Sequence, residues 1–369
     1  MRKPTATRRT FLKTGAAAGA AALAGCTAEI PDDRVTVSEV DSEAADAATT
    51  DSADLEPARE TTVDRVAADP ADIPAPIDRD EPATVEVELT TKEVVAEVEP
   101  GVTVDYMTFD EQVPGPLIRA RVGDTVDLTI HNAEGNAMNH NIDLHAVRGP
   151  GGGAEATMVA PGETERVRFT VTYPGAFIYH CAVANLDYHI STGMFGMILV
   201  EPEEGLPEVD REFYLGQHEL YTEGETGAEG HHRFDMGAMA REDPTYVLIN
   251  GEKYAITPDN YADMTAERGE SARVFYCVGG PNLTSSFHPI GSVWDEVYPQ
   301  GAVESDPHPN VQTTPVMPGS CTVATMHFPV PGPVKLVDHA LSRVARKGAL
   351  AVVDVGGEPN PEIFDPNPA

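Results

Sequence analysis

The stretch Tyr179–Gly196, YHCAVANLDYHISTGMFG, decides how the chain is read. It sets Cys181, His189 and Met194 in the pattern Cys-x7-His-x4-Met, the ligand order of a mononuclear blue-type copper site. A copper that exchanges single electrons is served by a soft thiolate, two imidazoles and a weak thioether in a stiff cavity. The second imidazole must come from an earlier strand, and His140 in the run HNIDLH is placed for it. A buried thiol among core residues is the plainer alternative, but it leaves His140 and the Gly-containing strand after Met194 without a role. His180 directly precedes Cys181, and neighbours on a strand point to opposite faces. His180 therefore serves something behind the Cys181 site.

Around this stretch the composition speaks for β-structure. The chain has 369 residues, 41% of them hydrophobic, with 32 Gly and 31 Pro, enough for two turn-rich cores. Alternating runs at Thr84–Thr90, Thr125–Ile130, Arg166–Val171 and Phe195–Val200 are separated by turn signals, the rhythm of a β-sandwich. A second copy of the plan follows, with GESARVFYCV, SSFHPIG, PGSCTVATM, KLVDHAL and GALAVVDV in the same order. Aligning the halves sets His288 against His140 and His339 against His180, and Ala340 falls where Cys181 stood. The expected fold is all-β: two tandem Greek-key sandwiches over residues 83–203 and 204–357, with a C-terminal tail over 358–369.

The formal net charge is −35. Such a surface repels nucleic acid and anionic membranes, and because its acidic residues are spread along the chain it suits molar salt and a halophilic source. Arg8 and Arg9 precede a short apolar run ending in Leu23-Ala24-Gly25-Cys26. Residues 1–26 thus resemble a twin-arginine export signal with a lipobox, and a lipid on Cys26 would be the only membrane attachment. Residues 27–82, rich in Asp, Glu, Ala, Thr and Pro, are expected to form a disordered acidic tether. Cys277 and Cys321 read as buried thiols rather than a disulfide. His231 and His232, in a Gly- and Glu-rich stretch, read as surface residues.

HNIDLH, YHCAVANLDYHISTGM, NLTSSFHPIG and PGPVKLVDHAL, in that order and with Pro-Gly turns before strands, resemble the copper-containing nitrite reductases. The resemblance runs from about Val85 to Val355 and implies two cupredoxin domains per subunit, a homotrimer and two coppers per subunit. It implies a type 1 copper on His140, Cys181, His189 and Met194, and a type 2 copper on His145, His180 and His339, the last from an adjacent subunit. Asp143 and His288 match the paired acid–base residues, and Ile290 the apolar residue crowding the substrate. The implied activity, part of denitrification, is the one-electron reduction of nitrite to nitric oxide. The resemblance further implies that the electron comes from a small redox protein, a cupredoxin or cytochrome, and passes from type 1 to type 2 copper through Cys181-His180. Export implies work on the outer face of the cell membrane or in a periplasm-like space. This chain is one residue shorter between Cys181 and His189 than some members, which removes no ligand. An electron carrier using only the Cys181 copper is the alternative. A two-domain multicopper oxidase is a weaker one, since the chain contains no His-x-His motif and Ala182 follows Cys181.

Overall fold

The computed structural model describes residues 55–261 and 264–368. The export signal, Cys26 and the tether as far as residue 54 lie outside the described residues. The first half of the chain contributes β1 (Thr84–Glu99), β2 (Val102–Phe109), β3 (Ile118–Arg121), β4 (Thr125–Asn132), β5 (Asp143–Leu144), β6 (Thr164–Thr170), β7 (Gly175–His180), helix α1 (Leu186–Ser191) and β8 (Phe195–Glu201). The second contributes β9 (Arg211–Leu220), β10 (Gly230–His232), helix α2 (Met236–Ala240), β11 (Tyr246–Ile249), β12 (Met264–Glu267), β13 (Ser271–Gly280) and β14 (Ser285–Ile290). After these come β15 (Trp294–Tyr298), β16 (His308–Val311), β17 (Thr314–Val316), β18 (Ser320–His327), β19 (Gly332–Asp338) and β20 (Leu350–Gly356).

The duplication expected from the sequence is visible in the sheet orders. One sheet runs β3-β8-β7-β5 and its counterpart contains β12-β20-β19-β14; in each the first pair is parallel and the others antiparallel. The facing sheets repeat as well: β1 lies parallel to β4 and β4 antiparallel to β6, as β9 lies parallel to β13 and β13 antiparallel to β18. Parallel neighbours whose strands are not consecutive mark Greek-key crossovers.

Three large apolar cores result. Leu89, Leu128, Ile198 and Val200 fill the first sandwich, and Cys181 and Met194 sit in that same core. Tyr276, Phe287, Trp294 and Leu336 fill the second. The third lies between the domains, where Val94, Val104, Phe195 and Leu199 meet Tyr214, Phe275 and Val323. Strand β8 does not alternate as expected from the sequence: it is buried at every position because its two faces serve different cores, and FGMILVE carries no charged residue before Glu201. Cys277 and Cys321 are cross-strand partners in this interdomain core, and both are buried free thiols, as the sequence suggests.

Residues 55–82 overturn part of the tether expectation. From residue 55 the chain is an extended strap with Val66, Ala67 and Ala68 buried. The amides of Val66 and Ala67 donate to Glu252 Oε1 at 2.8 and 3.1 Å, Ala68 O accepts from Asn250, and Pro70 O accepts from the Tyr214 amide. Local composition reports only what the strap itself can bury; its order comes from the two-domain surface beneath it. His231 and His232 are a second correction, being 1% exposed each. They lie on β10, which joins the edge of the first-domain sheet beside β2, and their rings are hydrogen-bonded to Thr103 and Thr222. A Gly-rich context concealed a strand that crosses between domains.

Strand β9 also grips the loop that carries His189. Ser191 Oγ donates to Glu219 O at 2.6 Å, and His218 Nδ1 donates to Ser191 O at 2.8 Å. Burial lowers the His218 pKa to about 4 and raises that of Glu219 to about 7. His218 therefore withdraws stability as pH falls from its ordinary 6.5 toward 4, because only the unfolded chain takes up the proton there. Glu219 does the opposite, withdrawing stability as pH rises from 4.5 toward 7. Each effect reaches on the order of 3 kcal/mol across its window. Relative to the parent protein, the thermal midpoint of Glu219→Gln should rise as pH goes from 5 to 7, and that of His218→Asn should rise as pH goes from 7 to 5. Parallel pH profiles for all three proteins would contradict this.

Candidate metal centres and catalytic residues

Strand β7 ends at His180, and the chain then leaves the sheet to begin the ligand loop. Cys181 stays tied to the end of the loop, its amide donating to Met194 O at 3.1 Å. Helix α1 turns the chain back and presents His189, while His140 enters from the loop before β5, anchored by reciprocal backbone bonds with Val159. Cys181 Sγ lies 3.5 Å from His189 Nδ1 and 3.9 Å from His140 Nδ1, and all three residues are buried. Metal bonds of about 2.0 Å to nitrogen and 2.3 Å to sulfur, set about 120° apart, leave donors roughly 3.7 Å from one another. The triangle thus fits a first-row metal, and Met194, fully buried in the same core, fits the thioether.

The electrostatics agree with that fit. Burial, then the neighbouring His140, lowers the His189 pKa to about 4, so its imidazole is neutral and ready to ligate above that pH. Burial raises the Cys181 thiol. A thiolate there calls for a cation in direct contact, and metal binding releases the proton. Asn141 was not singled out from the sequence, although it adjoins His140: its Oδ1 lies 3.6 Å from Cys181 Sγ and accepts from the Ala182 amide at 2.7 Å. It fixes the thiol's position from outside the ligand set.

The second cluster is built from the other face of the same strand end. His145 Nε2 and His180 Nε2 face each other at 3.1 Å, with the rings edge to face at 5.1 Å and 81°. His180 is held by Nδ1 donating to Cys181 O at 3.0 Å, which leaves Nε2 free to point outward. Asp143 completes the group, its carboxylate within 4.8 Å of both ligand atoms. Burial, then His180, lowers the His145 pKa, while Asp143 raises it. Both imidazoles converge on one point open to solvent, and His145 is itself exposed. Two imidazole donors with open positions can hold a metal at which an anion exchanges with water.

Gly152 is a further residue that the motifs did not flag. It belongs to the Pro150–Gly153 turn at φ +57, and a Cβ there would overlap the Asp143 carboxylate. The run of glycines signals a turn; that its backbone forms a wall behind Asp143 is visible only in three dimensions.

Within one chain His288, Ile290 and His339 do not join the Asp143–His145–His180 group. They lie on β14 and just after β19 of the second domain, with His339 exposed and Ile290 39% exposed. His288 Nδ1 donates to Gln312 O at 2.5 Å. His288 and His339 form their own edge-to-face pair at 5.0 Å and 79°, nearly the geometry of His145 and His180.

Strand register corrects the alignment of the halves. Asp143 faces His180 and Phe287 faces Asp338, so placing His339 at His180 sets Ser286 at Asp143 and His288 at His145, not at His140. The sequence alignment misplaces His288 because the loops before β5 and β14 differ in length.

A family model described as multicopper oxidase matches residues 90–205. The copper-containing nitrite reductase of Neisseria meningitidis serogroup B is 46% identical over 302 residues, covering 82% of this chain and 76% of that protein. The one from Rhizobium sullae is 34% identical, covering 77% and 78%. Among solved structures, the copper nitrite reductase of Nitrosomonas europaea superposes with a TM-score of 0.67 at 33% identity, covering 76% of this chain and 96% of that one. Sharing the two-domain cupredoxin architecture and almost half its residues with the Neisseria enzyme over most of its length, this chain belongs to the copper-containing nitrite reductases.

Proposed function

We propose that the protein reduces nitrite to nitric oxide, with a type 1 copper on His140, Cys181, His189 and Met194 and a type 2 copper on His145, His180 and His339 of a second copy of the chain. The observation that carries this is one dipeptide serving two clusters: Cys181 closes the buried triangle while His180 enters the open group. Bound copper supplies the one-electron exchange at each cluster and a binding position for nitrite. The chain's residues do the rest. Cys181 and His180 share a peptide link, and the His180 Nδ1 bond to Cys181 O offers a second, shorter connection between thiolate and imidazole.

Forming nitric oxide and water from nitrite takes one electron and two protons. Asp143, beside the open position, delivers protons, and His288 from the second copy is its relay partner, with Ile290 limiting the space above the substrate. His339 reaches the His145–His180 pair from outside because it is exposed and paired with His288 in the matching geometry. Subunits joined in this way form a trimer. The twin-arginine pattern at Arg8-Arg9 and the lipobox at Cys26 support export and a lipid anchor on the outer face of the membrane, where a small redox protein supplies the electron.

Copper stoichiometry tests the assignment. The loaded protein should hold two coppers per chain, and His339→Ala should hold about one, with the coloured Cys181 site still filled. A variant that retains two coppers would count against a shared site; four coppers in the parent protein would favour an oxidase.

A further inference from the structure

We propose that Glu93 is a positioning residue that sets the reduction potential of the Cys181 copper by acting through His140. The inference rests on the type 1 assignment above and concerns a carboxylate on β1, forty-seven positions before the ligand it acts on. Glu93 Oε1 lies 3.3 Å from His140 Nε2, on the opposite side of the ring from the Nδ1 that faces Cys181 Sγ. The same carboxylate accepts from the Met138 amide at 2.8 Å and from the Ala137 amide at 3.1 Å, while the Glu93 amide donates to Asn136 Oδ1 at 2.9 Å. The loop leading to His140 is therefore stitched to β1 at the point where the carboxylate meets the ring.

Two consequences follow from ordinary imidazole chemistry. An Nε2–H directed at a carboxylate leaves the Nδ1 lone pair for the metal, which fixes the tautomer. A carboxylate behind a ligating imidazole also makes it a stronger donor. His140 is fully buried and the Glu93 side chain is 24% exposed, so solvent screens that charge only in part. A stronger, more negative ligand set stabilises Cu(II) over Cu(I), and Glu93 holds the potential down. The type 1 copper must still be reducible by its donor and able to pass the electron on, so this carboxylate tunes both steps.

The test is a redox titration of the type 1 absorption in the copper-loaded parent protein, Glu93→Gln and Glu93→Ala. Glutamine keeps an oxygen for the Ala137 and Met138 amides and removes only the charge; alanine removes both. Both variants should shift the Cu(II)/Cu(I) ratio at fixed potential about tenfold toward Cu(I), an upward midpoint shift of about 59 mV for one electron. A shift in Glu93→Ala with none in Glu93→Gln would reduce Glu93 to a loop clasp and overturn the proposal, as would unchanged or lowered midpoints in both. A parent protein with no one-electron absorption change would overturn the type 1 assignment itself, an outcome distinct from any pattern among the variants.

Discussion

With both His145 and His180 replaced by alanine, the protein is expected to form no nitric oxide from nitrite while keeping the colour and the one-electron titration of the Cys181 site. The expectation follows from how the strand end divides its side chains. His180 is 8% exposed and its Nε2 lies 3.1 Å from His145, whereas the thiol beside it makes its contacts with His140, Asn141 and His189 in the first-domain core. Removing two imidazoles from the open cluster leaves no pair of nitrogen donors there, yet no atom of the buried triangle is lost. Nitric oxide evolution and the visible spectrum of the same preparation decide it. Surviving activity would mean that the reaction occurs elsewhere; loss of colour together with activity would mean that the two clusters are not separable.

Asp143→Asn should lower kcat by about 10²- to 10⁴-fold, the range for losing a positioned general acid, with both coppers retained. Asparagine keeps the size and hydrogen-bonding reach of the side chain but holds no transferable proton. Gly152→Ala offers the matching steric test. Its Cβ would occupy the space of the Asp143 carboxylate, and its backbone would be held at a positive φ that costs alanine about 1–2 kcal/mol. It should lower kcat in the same direction by a smaller factor while copper content is unchanged. An Asp143→Asn protein with near-parental kcat would confine the aspartate to orienting an imidazole.

The residues bound to chemistry were the most legible part of the sequence. Cys181, His189 and Met194 fall on one loop, and the contacts among His140, Cys181 and His189 follow the pattern that spacing and residue type imply. The strand rhythm was legible wherever one face meets solvent, as at Glu86 and Glu88 on β1. It fails where both faces are covered, as on β8, and where order is supplied by a distant surface, as for Val66 in the strap. Residues that act through others left little trace. Glu93 sits on an ordinary alternating strand, and Gly152 matters only because a turn happens to back onto Asp143. His288 was assigned to the wrong counterpart because strand register, which a sequence does not display, fixes equivalence more firmly than motif order.

The His145–His180 and His288–His339 pairs have one more consequence. They occupy equivalent places in two domains of one chain, but only the first pair is grouped with a carboxylate, Asp143, and followed directly by a cysteine, Ala340 standing in that place in the second. On the proposed assembly, each chain offers one pair as a socket and the other as a plug, a heterologous, head-to-tail contact. Head-to-tail contacts either grow into open filaments or close into rings, depending on the rotation between neighbours. A closed ring leaves every socket filled and every plug used, so the number of complete active sites equals the number of chains only when the ring is shut. On that proposed assembly the histidine pair of the second domain would be the fastening of the enzyme, and the geometry of that fastening would set the number of subunits.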